Sequence, residues 1–288
     1  MHLRRITEEE RAEWTREIAQ SAYGLLAAAE FLRRAKWVLE ARQEKVNQAL
    51  AMYVSHDKPS AYEYAKLGRA LERAAQIANN LTYVIVPCAQ KRLWPPANED
   101  VSAENINGAF TYKNGTQVFV FRCEEYPKVM LHEALHHSRL DPGPGLLLGV
   151  EQLLRARFHV APDTTLLVNE GIVEAFATWH QVAFLAQEMG MNVNKLWECE
   201  CAHARALALE LLARTNERAW SESTNAFSYI VVRALVMPRL SELRAHLDSG
   251  APLLKFFEYA LAHTDFRSMH RLKNKTKLSM RLTVFGDF

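Results

Sequence analysis

The sequence predicts an α+β protein that is mostly α-helical, and three patterns lead to this prediction. Apolar residues recur at helical intervals from residue 7 to residue 82 and again after residue 127, as in amphipathic helices packed on a core. A β-rich apolar run, 81 to 88, predicts a buried strand, and two short runs joined by a Lys-Asn-Gly-Thr turn predict a hairpin within 105 to 121. We therefore expect a small sheet and hairpin preceded by a helical N-terminal region.

Residues 1 to 80 are predicted to form this helical N-terminal region, packed on the core. Thr7 and Glu10 have the spacing of a capping box, in which each side chain satisfies the backbone N–H of the other residue. A turn at residues 55 to 61 separates two long helices or three shorter ones. The second domain is expected to span residues 81 to 288.

The second part of the chain begins with the strand and the hairpin and then becomes helical. The pair Asn114 and Gly115 favours a type I′ hairpin turn because both residues tolerate positive φ. The stretch DPGPG, residues 141 to 145, interrupts the helical pattern. The helices predicted after it lie near residues 146 to 158, 166 to 189, 195 to 215, 222 to 236 and 252 to 263.

Composition and charge predict a soluble intracellular protein, most simply a cytoplasmic one. The formal net charge of +2 is far from the basic balance of a dedicated nucleic-acid binder, so nucleic acid is not an expected partner. The N-terminus is charged from its start, unlike a signal peptide. No run approaches the roughly 18 apolar residues that span a bilayer, so no membrane partner is expected. The cysteines have no spacing typical of a disulfide framework.

The stretch VMLHEALHHSRL, residues 129 to 140, contains a potential metal site. His132, Glu133 and His136 match the pattern H-E-x-x-H. Residues four apart on a helix are about 40° apart around its axis and one turn apart along it, so both imidazoles can bind one ion. The glutamate can then act as general base toward the attacking water. His137 lies about 100° further round the helix and is not an expected ligand.

A catalytic zinc needs a third protein ligand, and residues 166 to 180 supply a candidate. Glu170 and Glu174 are four apart at the start of an apolar segment and therefore share a helical face. H-E-x-x-H followed by N-E-x-x-x-[DE] resembles the gluzincin family of zinc metallopeptidases. The resemblance implies a zincin-like catalytic core within 81 to 288. It also implies that both histidines and Glu170 bind Zn2+ and that Glu174 braces a ligand histidine.

The identity of the third ligand has open alternatives. Glu170 could be only a carboxylate favoured at a helix start by the helix dipole, with His180 as the ligand instead. The 33 residues between His136 and Glu170 are more than in the best-known gluzincins and leave room for this change. Arg139 and Pro142 stand where a metzincin has Gly and His, so that subclass is excluded.

The resemblance covers about residues 81 to 185 and also implies where a peptide binds. In gluzincins an edge strand just before the active-site helix pairs with the substrate backbone, and residues 105 to 112 stand in that place. The substrate-binding residues predicted in this strand are Asn107, Gly108, Ala109 and Phe110.

Further candidates would contact the reacting carbonyl or the ends of a substrate. Tyr229, His180 and, as a weaker candidate, Tyr112 could donate to the oxyanion, although aromatic residues at helical spacing are also common in cores. Arg233 could bind a substrate carboxylate with two hydrogen bonds, or form an ordinary salt bridge. A basic C-terminal tail could attract acidic partners or be a solvated face. Its residues are Arg267, Arg271, Lys273, Lys275, Lys277 and Arg281.

The expected function is hydrolysis of peptide bonds by a zinc-dependent metallopeptidase with Glu133 as general base. One alternative is a zinc carboxypeptidase that removes a C-terminal residue from a protein such as tubulin, with Arg139, Arg233 or the basic tail as the carboxylate site. Another is a non-catalytic protein that binds acidic partners through its tail and holds a structural metal. The expected partner is a peptide or protein substrate.

Overall fold

The computed structural model describes residues 1–44, 47–96, 99–112, 115–214, 219–264, 266 and 279–285. Over these residues the chain is α+β with more helix than strand, which confirms the predicted fold class. The strands are β1 (His2–Arg5), β2 (Trp37–Gln43), β3 (Ala49–Ser55), β4 (Leu81–Val86), β5 (Ala109–Thr111) and β6 (Gln117–Phe121). The helices are α1 (Glu8–Gln20), α2 (Leu26–Arg34), α3 (Ala61–Ala75), α4 (Ala103–Ile106), α5 (Tyr126–Leu135), α6 (Val150–Phe158), α7 (Val168–Met189), α8 (Val193–Arg214), α9 (Arg233–Val236), α10 (Leu240–Ser249) and α11 (Leu254–Ala262).

The chain divides into two compact units. The first consists mainly of Met1–Arg92 and Ile106–Ser138 and contains the sheet. The second consists of Leu93–Asn105 and Arg139–Val284 and contains helices α6 to α11. The domain boundary predicted near residue 80 stays a prediction.

A mixed sheet with the strand order β1-β2-β3-β4-β6-β5 is the framework of the first unit. β4 runs parallel to β3 and to β6, whereas β5 is antiparallel to β6 and forms an edge of the sheet. The Phe121 N–H donates to the Gly108 carbonyl over 2.7 Å. Backbone groups alternate in direction along an antiparallel strand, so those of Ala109 and Thr111 point away from β6 toward the edge.

Helices cover both faces of this sheet. Successive side chains of a strand point to opposite faces, so neighbouring residues of β4 enter different cores. Ile85 packs in the core that α3 and α5 close, and Val84 packs in the core that α1 and α2 close. The helix with the H-E-x-x-H motif is therefore anchored on the sheet through residues such as Met130 and Ala134.

The helical prediction for residues 7 to 82 is correct for α1, α2 and α3 but wrong between them. Trp37–Gln43 and Ala49–Ser55 are strands, paired with each other and with β1 and β4. Alanine, leucine, glutamate, arginine and glutamine dominate these segments and favour helix when isolated. Pairing and burial in the sheet outweigh that local preference. The capping box is confirmed, because Thr7 Oγ1 accepts from the Glu10 N–H over 3.1 Å and a Glu10 carboxylate oxygen accepts from the Thr7 N–H over 3.0 Å.

The strand at 81 to 88 and the hairpin are confirmed as β4 and as the antiparallel pair β5 and β6. β5 is shorter than the predicted run because residues 105 and 106 belong to α4. Asn114 lies outside the described residues, so the type I′ turn stays a prediction.

The second unit contains helices in each of the segments predicted after residue 145, with two differences. Helix α10 (Leu240–Ser249) was not predicted. The segment predicted as a helix at 222 to 236 includes a π-helical turn, Ser228–Val232, before α9. Short 3₁₀ turns occupy Pro144–Leu147 and Met237–Arg239. None of the helices in the described ranges is long and apolar enough to cross a membrane. Of the predicted basic tail, only Arg281 is described.

Candidate metal centre

The H-E-x-x-H motif lies on α5, as predicted. Pro127 stands in the first helical turn, where its missing N–H costs no helical bond. His132 and Glu133 belong to the helix, and His136 follows it with φ −59° and ψ −21°, which are still helical values. The i, i+4 spacing that the motif needs is therefore preserved at the helix end.

The two imidazoles converge. His132 Nε2 and His136 Nε2 lie 3.1 Å apart, and the ring planes are inclined by 74°. Two nitrogens bound to one tetrahedral zinc at about 2.0–2.1 Å are separated by about 3.4 Å, so this pair nearly has the spacing of two zinc ligands. His132 is buried and His136 half-buried, whereas His137 is exposed, in line with the prediction that His137 is not a ligand.

Glu133 is held in the apolar part of the first unit. The residue is only 6% exposed, and it lies near Tyr83 of β4, whose pKa is raised by burial and, secondarily, by the Glu133 carboxylate. A carboxylate fixed in such surroundings has few alternative orientations. This placement suits a general base that must meet a water at one position.

The predicted substrate strand presents its backbone rather than its larger side chains. Asn107 and Phe110 are buried, and the Phe110 ring stacks on Phe119 with 5.1 Å between centroids. Ala109 is half-buried and small. A peptide could therefore pair with β5 through the backbone of Ala109 and its neighbours, while Phe110 serves the core.

Three buried charged residues next to this strand were missed from the sequence. Arg92, Arg122 and Glu125 are at most 1% exposed and lie in the loops around β5 and the start of α5. Charged residues in loops are usually exposed to solvent, so the residue types alone do not indicate that these three are buried. The one usable clue was the glycine at 108, which leaves room for Arg92.

Glu170 lies in the first turn of α7 in the second unit, half-buried. The Tyr229 hydroxyl donates a hydrogen bond to Glu170 Oε2 over 3.1 Å. Tyr229 belongs to the π-helical turn, a distortion that is frequent at functional sites. The contact orients the Glu170 carboxylate.

The glycine after Glu170 allows α7 to approach the π-helical turn. A Cβ on Gly171 would lie 2.5 Å from the Ser228 carbonyl oxygen and 2.6 Å from Val232 Cβ. Because that oxygen is backbone, a larger residue must push the two elements apart. Close packing thus explains the glycine in the Asn-Glu-Gly sequence, and the spacing of the motif alone did not reveal this.

We expect Gly171→Ala to lower the free energy of unfolding by about 1–3 kcal/mol, since overpacking outweighs the gain in helix propensity. Gly68→Ala in α3 is the matched control, because its added Cβ would meet only the flexible end of the exposed Met1. That control should be neutral or stabilising. Urea unfolding of both variants measures the difference, and equal stabilities would contradict the close approach.

Glu174 and Arg233 are both buried in the second unit, with 3.7 Å between Glu174 Oε1 and Arg233 Nη1. Arg233 Nη1 also donates to the Leu282 carbonyl. These contacts give Arg233 a salt-bridge partner, and its binding of a substrate carboxylate stays a prediction. The contact of Glu174 with a ligand histidine stays a prediction.

The roles of His180 as an alternative ligand to Glu170 or as an oxyanion donor stay predictions. The two residues are ten positions apart on α7, which corresponds to about 15 Å along a helix. The His180 ring lies near Phe184. The pKa of His180 is lowered mainly by burial and, to a lesser extent, by the charge of Arg244. The hydroxyl of Tyr112, the weaker oxyanion candidate, donates a hydrogen bond to Glu17 over 2.8 Å.

A buried carboxyl group supports the segment that carries Tyr229. Glu222 accepts from the Phe227 N–H over 2.9 Å, just before the π-helical turn, and burial raises the pKa of Glu222 to about 8. The ordinary pKa is 4.5, so between these values the folded chain holds a proton that the unfolded chain has lost. Stability should therefore fall as the pH rises from 4.5 to 8, by up to roughly 5 kcal/mol.

Glu222→Gln should flatten this pH dependence and stabilise the protein at pH 8, because glutamine can accept the same N–H without ionising. Glu242→Gln, at an exposed position of α10, is the control and should leave the wild-type profile unchanged. The measurement is urea unfolding between pH 5 and 8.5. A wild-type stability that is constant over this range would contradict the burial effect.

Comparisons of the chain with models of protein families, with curated proteins and with solved structures give no match. The resemblance to gluzincins therefore depends on the two sequence motifs and on the local geometry of each unit.

Proposed function

We propose that this chain is a zinc-dependent metallopeptidase of gluzincin type, with a zincin-like catalytic core. The observation that carries the proposal is the 3.1 Å separation of His132 Nε2 and His136 Nε2 at the end of a buried helix that follows the hairpin of β5 and β6. The ligands in this proposal are these two histidines and Glu170.

The residue types fit zinc. Neutral imidazoles and one carboxylate are the ligand set of many catalytic zinc sites, which keep a further position for water or substrate. A Nε2–Nε2 contact requires at least one ring nitrogen without a proton, and that is the form in which histidine binds a metal. When bound, zinc would lower the pKa of a water molecule and polarise a carbonyl group.

Glu133 would take the proton from the attacking water and deliver it to the leaving amine. The outward-facing backbone groups of Ala109 and Thr111 would hold the peptide extended by adding it as a further strand to the sheet. In this mode of binding the hydrogen bonds are made to the peptide backbone, so it suits substrates that are locally unfolded.

Tyr229 would orient the zinc ligand Glu170 through its hydrogen bond of 3.1 Å. We expect Tyr229→Phe to weaken zinc binding by about 10–100-fold, as for other partners of metal ligands. Competition with a fluorescent chelator measures this. If Tyr229 instead donates to the oxyanion, kcat should fall by about 10²–10³-fold with zinc affinity unchanged.

The endopeptidase and the carboxypeptidase alternative both belong to this proposal, because Arg233 and Arg139 stay candidate sites for a substrate carboxylate. Arg139 is exposed and lies 3.6 Å from Asp248, where it could still meet a chain end. The products distinguish the two enzymes: internal fragments from an endopeptidase, single amino acids from a carboxypeptidase.

An intracellular location, most simply cytoplasmic, belongs to the same proposal. It is supported by the cysteines, which form no disulfide bond in the structure: Cys88, Cys123, Cys199 and Cys201.

Metal analysis together with the termini of cleaved proteins tests the proposed function. The purified chain should contain one zinc ion per molecule. A cell lysate treated with wild-type protein should gain new peptide termini, detected by mass spectrometry, that are missing after treatment with Glu133→Gln. A wild-type chain without zinc, or identical termini in both samples, would overturn the proposal.

A further inference from the structure

We propose that Arg92, Arg122 and Glu125 are positioning residues, which fix the substrate-binding strand β5 to the start of the helix α5. The inference rests on the proposed peptidase function, because its consequence is where a bound peptide lies relative to Glu133. All contacts that support it lie within the first unit.

Arg122 holds the chain just before β5. Its Nε donates to the Asn107 carbonyl over 2.8 Å, and its Nη1 donates to the Gln90 carbonyl over 3.1 Å. The residue is 0% exposed and has φ +67°, in the left-handed region that non-glycine residues rarely adopt. Such backbone strain persists only where the surroundings impose it, and it is common at functional sites.

Arg92 links the same strand to the helix. Its Nε donates to the Ile106 carbonyl over 2.7 Å, and its Nη1 forms an ion pair with Glu125, which is buried and precedes α5 directly. Glu125 also has a left-handed backbone, with φ +61°. The connection from β6 to α5 therefore contains two strained residues, and each takes part in holding β5.

Gly108 makes this arrangement possible. A Cβ at this position would lie 2.3 Å from Arg92 Nη2 and 3.1 Å from Val129 Cγ2. Since Val129 belongs to α5, the guanidinium and the helix together leave no space for a side chain at this position. This close packing fixes the residue that directly precedes β5 against the helix.

The consequence concerns the register of the substrate. Two arginines from different loops hold the carbonyls of consecutive residues, and the outward-facing groups of Ala109 and Thr111 follow within a few positions. A misplacement of reacting groups by about 1 Å can cost about 10²-fold in rate. These buried hydrogen bonds therefore serve the alignment of a peptide with Glu133 as well as the stability of the fold.

The test compares Arg122→Lys, Arg92→Lys and Glu125→Gln with the wild-type chain, all loaded with zinc. Arg4→Lys is the matched control, because Arg4 pairs with Glu10 and Glu40 beside β1, at the opposite edge of the sheet. Deuterium uptake of residues 105–112 is measured without substrate. Kinetics are measured with a library of quenched octapeptides, which can span β5, and with a blocked dipeptide amide, which makes few strand hydrogen bonds.

In the three variants we expect faster deuterium uptake in residues 105–112. The kcat/KM for octapeptides should fall tenfold or more, whereas the kcat/KM for the dipeptide should change by less than about threefold. The positioning role would be overturned if the three variants took up deuterium as slowly as Arg4→Lys does. An equal loss of kcat/KM on octapeptides and on the dipeptide would also overturn it. A wild-type chain that cleaves neither substrate overturns the proposed function instead, and the deuterium uptake then decides on the positioning residues alone. If Arg92→Lys does not fold, the other two variants give the answer.

Discussion

Glu133→Gln should lower kcat for peptide hydrolysis by about 10²–10⁴-fold and leave zinc bound in stoichiometric amount. Glutamine has nearly the shape of glutamate but cannot take a proton from the attacking water. Because Glu133 is not itself a proposed ligand, its replacement should separate the proton-transfer step from metal binding. Single-turnover kinetics and metal analysis of the same sample measure both quantities.

The control for this variant is Glu72→Gln, at an exposed position of α3 in the same unit. It removes the same charge from the surface and should retain wild-type kcat. If Glu133→Gln kept kcat within about threefold of the wild type, the general-base role would be wrong even with zinc present.

His136→Ala should lower the affinity for zinc by more than about 100-fold and abolish hydrolysis. The variant removes a proposed ligand, whose loss should exceed the 10–100-fold effect of losing a partner of a ligand. Isothermal titration with zinc in the presence of a competing chelator measures the change. Glu170→Gln should act in the same direction, because a neutral amide is a weaker zinc ligand than a carboxylate.

His137→Ala is the control for His136→Ala. The two histidines are adjacent in sequence, but His137 is exposed and lies about 100° further round the helix. Zinc affinity should therefore stay within about threefold of the wild type. A loss as large as that of His136→Ala would place the metal elsewhere on the motif.

The elements that sequence analysis predicted correctly are those with a local signal. Helix α7 shows an apolar pattern that extends well beyond a single turn, and the hairpin strands β5 and β6 flank a local turn signal, Asn114 and Gly115. The capping box at Thr7 needs only residues three apart. Patterns of this kind are complete within a short segment of the chain.

The failures have a long-range cause. β2 and β3 consist largely of good helix formers, and they become strands because partners far along the chain pair with them. The burial of Arg92 and Arg122 depends on carbonyl groups in other segments, which no motif describes.

The sequence by itself determined the spacing of His132, Glu133 and His136 and the position of Glu170 at a helix start, because helical geometry converts separation along the chain directly into direction. The tertiary structure alone decided that β5 is an edge strand, that buried arginines hold it, and that Tyr229 is the partner of Glu170 across 59 positions. Contacts between distant segments depend on how the whole core packs, and local sequence periodicity carries no information about that packing.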